Sequence, residues 1–256
     1  MFPTVVVGAW QVGVYPVVYA LAFVIAAAVA YVRLLPLPIP RRELESFILW
    51  CLAGAVAGLV VGPVWSAVSG FVQPAAPDAH PEPMRIYFVG AGLLLAGLLY
   101  ARLRHFPFLL AADRACCVFA LGYAIARIGC FAAGCCGGKP TDAFWGMYMP
   151  DEAGVWAVRY PTQIMSGVLQ LATFVGLFLY DWQRGRWRKG RNYPFVGFVF
   201  LLAVMLVAGE RFLVEFFRAD SVAVWGALSV IHLGMVGIMG VAALGMVVGM
   251  RGRRSY

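Results

Sequence analysis

Four residues with chemical potential crowd one short stretch of this chain. Arg127, Cys130, Cys135 and Cys136 lie at the end of an otherwise apolar segment. An ionisable side chain at membrane depth is costly to insert, so Arg127 is a functional candidate by default. Beside a fixed positive charge a thiol gives up its proton more readily, which fits Cys130 and Cys135 for a nucleophilic, basic or redox role. The plain alternative is that small, polarizable residues pack a tight helix end. The C-x4-C-C spacing departs from the paired C-x2-4-C of zinc sites, and the histidines are His80, His105 and His232, so the pattern predicts no metal centre. Cys51, Cys116 and Cys117 read as packing within apolar segments.

A second charged group follows, in the order Glu210, Arg211, Glu215, Arg218, Asp220. Arg211 and Glu215 are four apart, share a helix face and can pair. For Glu215 and Arg218 an internal salt bridge near a helix end is the plain reading. Arg211 lies deeper, at a level matching Arg127. Two guanidiniums at one depth call for an anion between them, and the planar fork of arginine suits phosphate. In a bilayer that anion is a phospholipid headgroup. Gly129, Gly134, Gly137 and Gly138 permit a turn and close backbone approach, with N–H groups able to cradle a phosphate.

Apolar helices must position these groups. The 256 residues are 62% hydrophobic and 12% charged, with a mean hydropathy of +0.83. A soluble domain carries about a quarter charged residues, so the chain reads as an all-α integral membrane protein forming a single domain over 1–256. Seven spans are predicted, near 14–33, 47–71, 86–103, 109–133, 161–181, 194–217 and 226–250. The opening residues lack a basic region and a cleavage site, which predicts a retained first helix. Basic residues follow spans one, three, five and seven, including Arg33, Arg41, Arg42, Arg102, Arg104, Arg184 to Arg191, Arg251, Arg253 and Arg254. That bias puts the N-terminus outside and the C-terminus in the cytoplasm, and it accounts for the net charge of +8 without a nucleic-acid partner. The proline-rich linker 34–40 is expected to be extended. The loop 73–83 holds Asp78, His80 and Glu82. The loop 137–160, with Trp145, Tyr148, Trp156 and Tyr160, reads as an interfacial belt or, more sharply, as a lid.

Taken in order, these residues resemble the prolipoprotein diacylglyceryl transferases. Those inner-membrane enzymes move diacylglycerol from phosphatidylglycerol to the cysteine thiol of a lipobox and release glycerol phosphate. The family signature G-R-x-G-N-F-x-N-G-E-x-x-G is similar to Ala126-Arg127-Ile128-Gly129-Cys130-Phe131-Ala132-Ala133-Gly134-Cys135-Cys136-Gly137-Gly138. A later segment, R-x-P-S-Q-L-Y-E, is similar to Arg159-Tyr160-Pro161-Thr162-Gln163-Ile164-Met165-Ser166. The family's R-x-x-x-E-F-F-R resembles Arg211 to Arg218, and Tyr15 and Tyr19 stand where the family often has tyrosines.

The resemblance implies a transferase of the bacterial cytoplasmic membrane that uses phosphatidylglycerol or a related anionic phospholipid. It implies the prolipoprotein lipobox as acceptor, and no cofactor. Arg127 and Arg211 are then the catalytic arginines, and Tyr15, Gly134, Gly138, Gln163 and Glu215 join them in binding the lipid. The departures are equally specific. The family's F-H-G-G histidine, its presumed base, is absent from Phe88-Val89-Gly90-Ala91; Cys130 replaces the signature asparagine, Cys135 the glutamate, and Val207 a tyrosine. The base is left open between His232 and a thiol, Cys135 or Cys130. A non-catalytic phospholipid binder, or a thiol-redox protein on the same scaffold, is the competing reading.

Overall fold

The structure, a computed structural model, describes residues 4–7, 10–72, 85–151, 154–187 and 194–252. Among them run seven helices: α1 (Val14–Leu34), α2 (Arg41–Val72), α3 (Arg85–Arg104), α4 (Phe108–Ala133), α5 (Thr162–Trp187), α6 (Phe198–Glu215) and α7 (Val230–Gly252). Three antiparallel hairpins join them, β1 (Thr4–Val7) with β2 (Trp10–Gly13), β3 (Met147–Pro150) with β4 (Trp156–Arg159), and β5 (Ala223–Trp225) with β6 (Leu228–Ser229). Five helical segments, in α1, α2, α4, α5 and α7, are long and apolar enough to cross a membrane, because about 20 residues span the hydrocarbon core at 1.5 Å each. Helix α6 carries three ionisable residues, Glu210, Arg211 and Glu215, and is not among the five.

The chain divides into two compact units, Tyr31–Ala111, and Met1–Ala30 with Ala112–Tyr256. In the first, α2 lies directly on α3. A Cβ at Gly54 would stand 2.3 Å from the Gly92 carbonyl oxygen, the close backbone approach by which small residues join helices where no water drives them together. Helix α2 begins before the expected residue 47, with a polar first turn. Glu43 there accepts hydrogen bonds from Tyr100 Oη at 2.7 Å and Arg104 at 3.0 Å. The linker after Leu34 is turned rather than extended: Leu37 N–H reaches the Leu34 carbonyl at 3.0 Å, and Ile39 N–H the Leu37 carbonyl at 2.8 Å. Leu34 and Leu37 are buried by that fold-back, which outweighs the extended preference of the prolines.

The second unit holds α1 through Ala30, most of α4, and α5 to α7. Its core packs Cys117 and Val118 of α4 against Leu177 of α5 and Val199 and Ala203 of α6. At this end Asp113 caps α6, accepting the Gly197 N–H at 2.6 Å and the Phe200 N–H at 2.9 Å, so the orphan donors of the helix N-terminus are satisfied from another helix. Arg114 closes a bidentate pair with Asp181 at 2.9 and 3.1 Å. Helix α7 starts four residues after the expected 226 because Gly226, at φ +59°, turns the β5–β6 hairpin instead. The loop expected to hold Asp78, His80 and Glu82, and Arg188, Lys189, Arg191, Arg253 and Arg254 of the basic clusters, lie outside the described residues.

Candidate functional site

The sequence-predicted residues gather at the opposite end of this unit from Asp113, where α1 begins, α4 ends, α5 begins, α6 ends and α7 begins. Helix α4 stops in a Schellman turn. Gly134 takes the left-handed conformation at φ +77°, its N–H bonds the Phe131 carbonyl at 3.2 Å, and the Cys135 N–H returns to the Cys130 carbonyl at 3.2 Å. Cys136 is also left-handed, at φ +60°, which a residue with a Cβ adopts only when its surroundings impose it. Two side chains from the first turn of α5 do so. Thr162 Oγ1 donates to the Cys136 carbonyl and Gln163 Nε2 to the Cys135 carbonyl, both at 2.7 Å.

Beyond the turn the backbone is clamped from both sides. Gly138 N–H bonds the Tyr160 carbonyl at 3.0 Å, Lys139 N–H the Phe217 carbonyl at 2.8 Å, and Ala219 N–H the Gly137 carbonyl at 3.2 Å. A Cβ at residue 138 would stand 2.4 Å from the Tyr160 oxygen and 2.9 Å from that of Phe217, so glycine is required by space. This pairing ties the cysteine turn to the end of α6. Trp145, Tyr160 and Phe217 cluster over it, with ring centroids 4.8 to 5.9 Å apart. The β3–β4 hairpin leaves Tyr148 and Trp156 exposed and in mutual contact.

The three sulfurs of Cys130, Cys135 and Cys136 lie within 4.8 Å of one another. Hydrogen bonds shared with Cys130 and Cys135 hold the Cys136 thiol well below its ordinary range, with the Arg218 and Arg127 charges adding to the effect. The same sharing, with Cys130 first and burial behind it, pushes Cys135 up. Tyr19 Oη stands 3.9 Å from Cys130 Sγ, and the Tyr15 ring lies 4.3 Å from that of Tyr19.

Arg127 is buried, stacks over the Tyr123 ring at 4.7 Å and donates to the Tyr123 hydroxyl. Its Nε–H has no partner among the described residues. Arg211 pairs with Glu215 at 2.6 Å, as the spacing predicted. Glu215 also accepts from Ser229 Oγ at 3.1 Å and lies 3.9 Å from Arg218, which makes its own bidentate pair with Asp220 at 2.8 and 2.5 Å. His232 is completely buried between Phe212 and Phe216. Its Nδ1 accepts the Ser229 backbone N–H at 3.0 Å, which puts the ring proton on Nε2. Ser229 thereby links the His232 ring to Glu215.

Sequence reasoning named Gln163 but missed Ser166 and Gln170, which continue its polar line on α5 at i+3 and i+7; all three are buried. Ser166 Oγ and Gln170 Nε2 hold the two oxygens of Glu210 at 2.6 and 2.8 Å. The helical period of these polar residues in an apolar segment was the available signal.

Fold and site together define a multi-pass helical membrane protein with a buried, arginine-rich polar site at one end. The prolipoprotein diacylglyceryl transferase family matches residues 4–249, and this chain belongs to that family. Relatives named phosphatidylglycerol–prolipoprotein diacylglyceryl transferase include one from Wolbachia pipientis subsp. Culex pipiens, 28% identical over 207 residues, covering 78% of this chain and 76% of the relative. Another, from Cupriavidus pinatubonensis, is 32% identical over 186 residues, covering 69% of this chain and 62% of the relative. A third, from Geobacter sulfurreducens, is 35% identical over 127 residues, or 50% of this chain and 45% of the relative.

Proposed function

We propose that this chain transfers diacylglycerol from phosphatidylglycerol to the cysteine thiol of a prolipoprotein lipobox at the outer face of a bacterial cytoplasmic membrane. Seven crossings as one domain, with the N-terminus outside, put the arginine and cysteine end on that face; the arginine bias of the opposite helix ends supports this orientation. The observation that carries the reading is the buried Arg127, whose Nε–H has no partner among the described residues. A buried donor left unmatched costs about 1–3 kcal/mol, and a lipid phosphate supplies the missing acceptor. Arg127 and Arg211 bind the headgroup, and charge that builds on the departing phosphate meets fixed donors in a low-dielectric setting, where they act most strongly. Glu215 fixes the Arg211 guanidinium, and His232 fixes Glu215 through Ser229. Gly134, Gly138 and Gln163 shape the turn beneath the lipid, with Tyr15 beside it. Cys130 and Cys135 supply the sulfur chemistry.

The test is an incubation of the purified protein with phosphatidylglycerol vesicles and a lipobox peptide, read by mass spectrometry. A diacylglyceryl thioether on the peptide cysteine is expected. No adduct, beside an active family member run in parallel, overturns the reading and leaves a lipid binder without transfer.

A further inference from the structure

We infer that Cys130, Cys135 and Cys136 form a three-thiolate zinc site whose open fourth position takes the acceptor thiol. The metal site stands on the geometry below; only the identity of the fourth ligand rests on the transferase reading.

The linear spacing hides what the turn does. The Schellman reversal carries Cys135 back over the end of α4, with its sulfur 3.7 Å from the Cys130 carbonyl. The left-handed Cys136, pinned by Thr162, brings in the third sulfur. The result is three soft donors within 4.8 Å. Zinc–sulfur bonds of about 2.3 Å in a tetrahedron set sulfurs about 3.8 Å apart, so closure needs only rotamer-scale adjustment. The backbone is fixed by hydrogen bonds from Thr162 and Gln163, which is the outer support a metal site requires. Three thiolates around a dication leave one net negative charge, and Arg127 and Arg218 both act on the Cys136 sulfur, with Arg127 acting on that of Cys130 as well. Cys130 is buried whereas Cys135 and Cys136 are partly open, so one face remains for an incoming ligand. Three protein ligands and one exchangeable position is the arrangement of catalytic zinc.

The chemistry replaces a base. The acceptor thiol displaces a zinc-bound water, and its proton passes to solvent water. A metal-bound thiol is held as thiolate. Its sulfur then attacks the glyceryl carbon joined to the phosphate oxygen. A carbon–sulfur bond forms, the carbon–oxygen bond breaks, and its electron pair leaves on glycerol phosphate. No electrons are exchanged with an outside reagent, and the thioether product, a weaker ligand, leaves the zinc.

The experiment loads the purified full chain with Zn²⁺, removes excess by dialysis, and measures retained metal by mass spectrometry. Co²⁺ loading provides a spectrum that reports thiolate ligation. One equivalent of zinc should stay with the protein and be lost from the Cys130→Ser, Cys135→Ser, Cys136→Ser triple variant, with Cys135→Ser alone as a milder check if the triple variant fails to fold. The cobalt spectrum should shift with a lipobox peptide and not with its serine counterpart. Zinc retained equally by the variants is an adventitious ion only and overturns the site. So does loss of zinc on dialysis, or transfer unaffected by chelation. A cobalt spectrum blind to the peptide thiol overturns the fourth-ligand assignment. Absence of transfer with the thiol-dependent spectrum intact counts against the transferase reading alone.

Discussion

The backbone of Gly138 pairs with that of Arg218 as an isolated antiparallel bridge. Through it the turn that follows α4 and the charged end of α6 become one structure. The cysteines precede Gly138 along the chain, and Glu215, bonded to Ser229 and through it to His232, precedes Arg218.

Gly138→Ala tests that bridge. Its Cβ would overlap the Tyr160 and Phe217 carbonyls, neither of which can yield without breaking a backbone hydrogen bond. Overpacking of this kind costs about 1–3 kcal/mol. Transfer should fall at least tenfold and the melting midpoint should drop; wild-type values for both would show that the two backbones are free to separate.

Arg127→Ala should leave the protein inserted and folded while lowering transfer by about 10²–10³-fold, the usual loss when one preorganised donor to a developing anion is removed. Arg127→Lys keeps the charge but not the fork, so partial recovery is expected. Turnover measured with labelled phosphatidylglycerol decides it, and full activity in the alanine variant removes Arg127 from the headgroup.

Glu215→Ala acts on stability first. The carboxylate is buried beside Arg211 at 2.6 Å and Arg218 at 3.9 Å, and its removal leaves Arg211 without this countercharge. Breaking a buried pair this way costs about 3–5 kcal/mol. A thermal melt in detergent should show a large drop, whereas an unchanged melt would mean that Asp220 compensates for both arginines.

Ser166→Ala withdraws the hydroxyl that Glu210 accepts at 2.6 Å. Gln170 still serves the other oxygen, so a loss of about 1–3 kcal/mol is expected, larger than for an exposed serine. Ser166→Thr, which restores a hydroxyl, should recover part of it; equal stability of the alanine variant would show that Glu210 finds another donor.

The amino-acid order alone determined the helices but not the three hairpins between and before them. Apolar runs of bilayer length dictate helices because every backbone polar group must be satisfied within the segment, and helix bounds follow within a few residues for α1, α3 and α4. Pairing of Arg211 with Glu215 was legible too, since a spacing of four fixes a shared face. Other features were decided only by tertiary structure. Asp113 capping α6, Ser166 and Gln170 holding Glu210, and Ser229 engaging the His232 ring all join residues from separate elements. Local sequence carries no term for such contacts. The cysteines show the difference most plainly. Their spacing argues against a shared centre, yet a left-handed turn and two hydrogen bonds from α5 bring three sulfurs together, because distance along a chain stops measuring distance in space once the backbone reverses.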